Sequence, residues 1–244
     1  MATNPMYQFT VYRIGPEISF GNIDVSFTNA SLFMVINALL ILFLFSLGTR
    51  NKALIPSKIQ LMSELSYTFV AKMINDTAGV KAKPYFPFIF SLFMFVLFCN
   101  MVGMLPYSFT VTSHIIVTFA LATVVFIGVT VIGFVKHGIK YLELFVPKGV
   151  PMVLLPLIIV IEIISYLSRP VSLSVRLFAN MMAGHTMMKV FGGFVISLGL
   201  LGGWLPLGFS VALTGLEILV AFLQAYVFAI LTCIYLNDAL NLHH

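Results

Sequence analysis

Between Gly149 and Asn237 the sequence carries, tyrosine and cysteine apart, only six ionisable side chains: Glu162, Arg169, Arg176, His185, Lys189 and Glu217. The rest of the stretch is apolar or small, and Gly192-Gly193 and Gly202-Gly203-Trp204-Leu205-Pro206 mark a break in it. Two long segments result, about 150–190 and 207–236. A helix of the first length measures roughly 60 Å at 1.5 Å per residue, twice a hydrocarbon thickness of about 30 Å. It cannot stand upright in a bilayer as one helix. Either it breaks into two crossings, or it lies steeply tilted with a bend at Pro170, whose ring disrupts the hydrogen bond to Tyr166.

The composition agrees with a membrane solvent. The chain is 60% hydrophobic and 9% charged with a mean hydropathy of +1.07, far from the roughly 25% charged residues of soluble domains. The net charge of +5 raises the question of nucleic acid, but the basic residues gather in connections between apolar segments, so no nucleic-acid partner is expected. Cys99 and Cys233 lie inside apolar runs and read as small hydrophobes. No Cys/His cluster has metal spacing, and no cofactor is expected.

The chain reads as a single all-α membrane domain over 1–244, with about five embedded helices and one amphipathic interfacial helix. Residues 1–29 are polar and mixed, without a cleavable-signal pattern, and form an exposed N-terminal segment. The first span is 30–47. Residues 53–83 alternate charge with an apolar stripe of Leu61, Leu65, Phe69 and Met73 at helical spacing, which reads as a helix on the membrane surface rather than a span, with a solvated loop helix as the alternative. A second span covers 85–107, opened by Pro84 and Pro87 and closed by Pro106, with Asn100 near its end as an interhelical hydrogen-bonding group or a water-path residue. A third covers 114–135, and His114 reads as interfacial. Arg50 to Lys83 holds six Lys/Arg, and Lys136, Lys140 and Lys148 form a second basic connection. By the positive-inside rule both lie inside and the N-terminus outside.

Arg176 is the residue whose placement costs most. A guanidinium at mid-bilayer depth costs about 2.5–3.5 kcal/mol on insertion scales, so it must face protein or water. At 100° per residue, Glu162, Ser165, Arg169, Ser172, Arg176, Ala179, Asn180 and Ala183 share one broad side of a helix. Ala179-xxx-Ala183 and Asn180-xxx-Gly184 are small-xxx-small pairs that let another helix approach. The guanidinium is unsuited to carrying a proton and well suited to attracting a carboxylate. His185 lies nine positions on and so about 180° away, off this stripe. Glu217 and Gln224, seven apart, share a face of the last helix, and a buried Glu/His couple is a plausible proton relay. The alternatives are structural roles: Arg176 paired within its own chain, Glu217 paired with His185 or Lys189, and Gln224 bonded across helices.

The run Ser172-Leu173-Ser174-Val175-Arg176-Leu177-Phe178-Ala179-Asn180-Met181 resembles a signature segment of subunit a of F-type ATP synthases. Asn100-Met101-Val102-Gly103-Met104-Leu105-Pro106-Tyr107 is similar to the family's second block, and Glu217 with Gln224 to its third. The resemblance implies a stator subunit with a long tilted hairpin of the last two helices and two half-channels that never join. It also implies a proton path through Arg176, Glu217, His185, Gln224, Asn180, Glu162 and Ser172, with Ala179, Ala183 and Gly184 packing near the rotor. The implied partners are the acidic rotor c-ring, peripheral stalk b subunits, the F1 sector indirectly, and the lipid bilayer. Five crossings, counting the hairpin as two, put the C-terminus inside, in a bacterial or mitochondrial inner membrane. In many bacterial members Glu follows the arginine by nine residues and His sits on the last helix; here His185 and Glu217 are swapped, an arrangement that resembles mitochondrial and related bacterial versions. No nucleotide-binding loop is present, so ATP chemistry is not expected in this chain. The competing reading is an independent secondary transporter, which calls for a second, inverted half that the sequence lacks. A passive membrane anchor would leave the Arg/Glu/His set without a role.

Overall fold

The computed structural model describes residues 8–17, 19–20, 23–24, 26–50, 56–105, 108–146 and 154–241. Pro106, Tyr107 and Lys148, which entered the sequence reading, lie outside them. Six α-helices dominate: α1 (Asn29–Arg50), α2 (Lys58–Ala78), α3 (Phe86–Gly103), α4 (Ile115–His137), α5 (Leu155–Gly202) and α6 (Trp204–Leu240). Among the described residues the only strand ladder is a two-residue antiparallel pair, Ser19–Phe20 with Ile23–Asp24. Among the described residues five helical stretches are long and apolar enough to cross a membrane, α1 and the four containing α3, α4, α5 and α6. The protein is an all-α membrane protein.

α1 starts where Thr28 and Asn29 offer side-chain oxygens to backbone N–H groups of Ser31 and Ala30. The N-terminal segment is tied to that start by Asn29 N–H donating to Tyr12 O and by an Arg13–Thr28 bridge. α2 begins at Ser57, whose hydroxyl accepts from the Gln60 N–H, satisfying one of the orphan donors of a helix start. Its Val70, Met73, Ile74 and Ala78 pack inward, Leu61 and Leu65 of the expected stripe face outward, and Phe69 lies at the edge, its ring 5.7 Å from those of Phe93 and Tyr226 and 5.9 Å from that of Phe222. Of the four stripe residues, only Met73 is buried in the core. α3 starts with Pro87 in its first turn, where the missing N–H costs nothing. α4 begins directly after His114 and ends at Gly138, whose φ of 58° stops the helix as glycine readily does.

The last two helices depart most from expectation. α5 does not end near 190; it continues through Gly192 and Gly193, and its one non-helical residue is Gly199, at φ 62° and ψ −159°. Glycine disfavours helix in water partly because water can serve the exposed backbone. In hydrocarbon no such alternative exists, so the helix persists. Pro170 is buried inside α5, and the backbone keeps helical angles through it. α6 begins at Trp204, earlier than the expected 207, with Pro206 in its first turn, where N–H groups have no intrahelical acceptor. At 1.5 Å per residue the part of α5 before its kink at Gly199, residues 155–198, measures about 66 Å and the 37 residues of α6 about 55 Å, both well beyond a hydrocarbon thickness of about 30 Å.

α5 and α6 form an antiparallel hairpin. Its register is held by Phe191 stacked on Phe209 at 5.8 Å, the Thr214 hydroxyl against Met188 Sδ at 3.6 Å, His185 beside Glu217, and Arg169 bonded to Asp238. α4 packs along α5, and α3 packs along α6. The core comprises Val70, Ile74, Ile89, Val96, Val125, Leu177, Phe228 and Leu236 with their neighbours.

Close approach depends on one glycine in α4. A Cβ on Gly133 would fall inside the Tyr141 ring, whereas one on Gly128 meets only Phe88 at 3.9 Å. Gly133→Ala is therefore expected to destabilise the chain by about 1–3 kcal/mol, and Gly128→Ala to cause no loss. Denaturant titration of the two variants in detergent checks this; equal midpoints would show that Tyr141 yields freely.

Candidate functional site

The two sides of α5 have opposite characters. Tyr166, Pro170, Leu173, Ser174, Leu177, Met181 and His185 are buried, at the three- and four-residue spacing of one helix face. Ser172, Arg176, Ala179, Asn180 and Ala183 are exposed on the other side. Arg176 makes no hydrogen bond or ion pair to another described residue, and Tyr235 of α6 lies within Coulombic range of it. Gly184, grouped by spacing with the outward small residues, faces α6 instead: a Cβ there would stand 2.8 Å from Glu217 Oε1. Its missing side chain makes room for the carboxyl.

Beyond Arg176 along α5 lies a buried polar cluster. His185 and Glu217 are 7% and 5% exposed, and His185 Nδ1 stands 3.5 Å from Glu217 Oε1. Lys189, the other sequence candidate for pairing with Glu217, is exposed. On the far side of the ring, His185 Nε2 is 3.0 Å from the Thr110 hydroxyl, which also reaches Gly103 O at 3.1 Å. Phe9 of the N-terminal segment sets its ring edge-on to His185, with centroids 6.5 Å apart. Asn100 braces the cluster: its amide donates to Ala221 O at 3.2 Å and accepts from the Thr112 hydroxyl at 2.8 Å. Of the two sequence readings for Asn100, the interhelical hydrogen bond is present. Gln224 is buried on the same face of α6 as Glu217 and Ala221.

Before Arg176 lies a second cluster. Arg169 Nη1 donates to Asp238 Oδ2 at 3.2 Å, and its guanidinium stands over the rings of Tyr235 at 4.8 Å and Tyr166 at 5.3 Å. The Tyr166 hydroxyl bonds Thr130 at 2.6 Å and Tyr141 at 3.1 Å, joining α4, α5 and the 3-10 turn of residues 138–145. Arg169, which the sequence placed on the Arg176 stripe, is turned inward by this pair. Glu162 is half-buried one turn further out, before Tyr166.

The clusters belong to opposite ends of the bundle. Lys81 Nζ donates to Asn241 Oδ1 at 2.8 Å, and His137 Nε2 is 3.3 Å from Leu240 O. The connections around α2–α3 and after α4 therefore meet the C-terminal end of α6, near Arg169–Asp238. The N-terminal segment and the 108–114 connection meet His185. At 1.5 Å per residue Arg176 lies about 10 Å along α5 from Arg169 and about 13 Å from His185. Sequence reading missed Asp238 and Thr110. Asp238 continues the seven-residue series of Glu217 and Gln224, a signal that was available; Thr110 sits in a connection without periodicity.

The Arg169–Asp238 pair is only 20% and 29% exposed by side chain, so its members should be coupled. A double-mutant cycle of Arg169→Met and Asp238→Asn in detergent is expected to give a coupling of about 1 kcal/mol. A value below about 0.3 kcal/mol would make them independent.

A family model described as ATP synthase A chain matches residues 31–237. ATP synthase subunit a of Pelagibacter ubique (strain HTCC1062) is 82% identical over 244 residues, covering 100% of both chains. That of Chelativorans sp. (strain BNC1) is 59% identical over 250 residues, again with 100% of each covered. That of Parvibaculum lavamentivorans (strain DS-1) is 59% identical over 247 residues, 99% of this chain and 95% of the relative. Matched along nearly its whole length, the chain belongs to the ATP synthase A-chain family.

Proposed function

We propose that this chain is the proton-translocating stator subunit in the membrane sector of an F-type ATP synthase. The observation that carries the reading is Arg176: outward on a small-residue face, without a hydrogen-bonding or ion-pair partner among the described residues, between two inward polar clusters. Such a cation in a bilayer calls for a charge supplied by another chain. The partner is the carboxylate of a rotor c-ring helix, which Ala179 and Ala183 allow to come close.

Protons enter one half-channel, neutralise a rotor carboxylate and ride with it into lipid. After nearly a full turn they leave by the other half-channel. Arg176 holds the deprotonated carboxylate between the two and, because it stays charged, blocks direct leakage. Glu217 and Gln224, with His185 exchanging protons with Glu217, form the relay of one half-channel; Glu162 belongs to the other, with Ser172 and Asn180 beside the arginine. Each charge crossing 100 mV contributes about 2.3 kcal/mol. The helices lie tilted, as their lengths require. The basic connections gathered at the C-terminal end of α6 support a C-terminus inside and an N-terminus outside. Peripheral stalk b subunits hold the chain against the torque, and nucleotide chemistry belongs to the F1 sector.

Arg176→Ala is expected to abolish proton-driven ATP synthesis in the assembled complex while leaving assembly largely intact. Coupled synthesis by a fully assembled variant would overturn the assignment. Glu217→Gln and His185→Ala are each expected to slow proton flux in reconstituted vesicles without necessarily stopping it. Wild-type flux across the pH range would reduce both residues to packing.

A further inference from the structure

We infer that Thr110 is a positioning residue that fixes the His185 tautomer, so that protons are exchanged at Nδ1 alone and the ring is a branch off Glu217 rather than a wire through which protons pass. A threonine hydroxyl has one hydrogen to give and lone pairs to accept with. The Thr110 hydroxyl touches two groups, Gly103 O at 3.1 Å and His185 Nε2 at 3.0 Å. A carbonyl only accepts, so making both bonds sends the hydroxyl hydrogen to Gly103 and leaves Nε2 as the donor. The Gly103 carbonyl accepts that hydrogen. It belongs to the last turn of α3, where carbonyls lack intrahelical partners, and the single hydrogen of Ser108 has nearer acceptors in Val102 O at 2.6 Å and Leu105 O at 2.7 Å, against 3.0 Å to Gly103 O. Gly103 also lets the threonine in: a Cβ there would be 2.8 Å from Thr110 Cγ2.

With Nε2 carrying the hydrogen, the neutral ring keeps its Nδ1 lone pair open, with Glu217 Oε1 standing 3.5 Å from Nδ1 and neither Glu217 carboxyl oxygen hydrogen-bonded among the described residues. When the carboxylic acid gives up its proton, the O–H bond breaks, the carboxylate keeps the electron pair, and an N–H bond forms at Nδ1. An imidazolium then faces a carboxylate, and the return step is the reverse. The route through Thr110 offers no exit from Nε2, because the hydroxyl ends on a peptide carbonyl that cannot pass a proton on. His185 therefore holds the Glu217 proton and returns it. The charged and titratable groups acting on the ring are Glu217 of α6 and Lys189 of α5; the 108–114 connection presents the uncharged Thr110, and the N-terminal segment presents Phe9.

The inference rests on the proton-translocating reading for its flux consequence, while the tautomer stands apart from it. The test uses the assembled synthase labelled with 15N-histidine, the His185 signal being assigned by its loss in His185→Gln. The neutral ring is expected as the Nε2–H tautomer in the wild type and in Thr110→Ser, and as a mixture in Thr110→Val. Thr110→Val is also expected to lower flux about fivefold and to shift its pH profile, as loss of one buried hydrogen bond would, with Thr110→Ser restoring both. An Nδ1–H tautomer in the wild type would overturn the inference, as would a Thr110→Val complex with unchanged tautomer and unchanged pH profile. A correct tautomer in a complex whose Arg176→Ala variant still couples would instead overturn the transport reading and leave the Thr110 assignment standing.

Discussion

The structure depends on one constraint: in hydrocarbon, a backbone amide has only its own helix to bond to. That requirement carries α5 through Pro170, Gly192 and Gly193, residues that weaken or end a helix in water, and lets it yield only at Gly199. A helix so long gives one element two distant ends and a middle. The hairpin with α6 then decides what those ends contain, since the register that stacks Phe191 on Phe209 also brings His185 to Glu217 and Arg169 to Asp238.

Segregation follows from helix phase. His185 lies about 180° around the helix from Arg176, so an α5 whose inner face packs on α4 and α6 must send the two groups in opposite directions. The inward histidine finds Glu217 and Thr110. The outward arginine keeps its charge on a surface of alanines and an asparagine. Gly184 belongs with the inner group, because the Glu217 carboxyl occupies the space a side chain would take.

Much of this was legible in the sequence, for reasons particular to each element. The apolar runs of α1, α3, α4 and α6 were readable because a membrane span needs length and little else. The two faces of α5 followed from periodicity. The extent of α5 was not legible, because Gly192-Gly193 carries a meaning in water that lipid reverses. The packed face of α2 was obscured because Leu61 and Leu65, which a soluble helix would bury, look outward, Phe69 sits at the edge against Phe93 and Tyr226, and Val70 and Ile74 go in. In a membrane both faces can be apolar, and pattern alone does not say which meets protein. Arg169 was assigned to the wrong set since a long side chain can reach its neighbour from the edge of a face, and Thr110 reaches His185 across 75 positions.

That distance in sequence bears on how the molecule is made. Asn100 bonds a carbonyl 121 residues further on, and Lys81 an amide 160 further on, so the early helices enter the bilayer before these acceptors have been synthesised. The Asn100 amide must then be served by water, by lipid headgroups or by the insertion machinery until α6 is threaded beside it. Biogenesis is therefore a matter of waiting: the first half of the chain carries polar groups whose partners arrive only with the last helix.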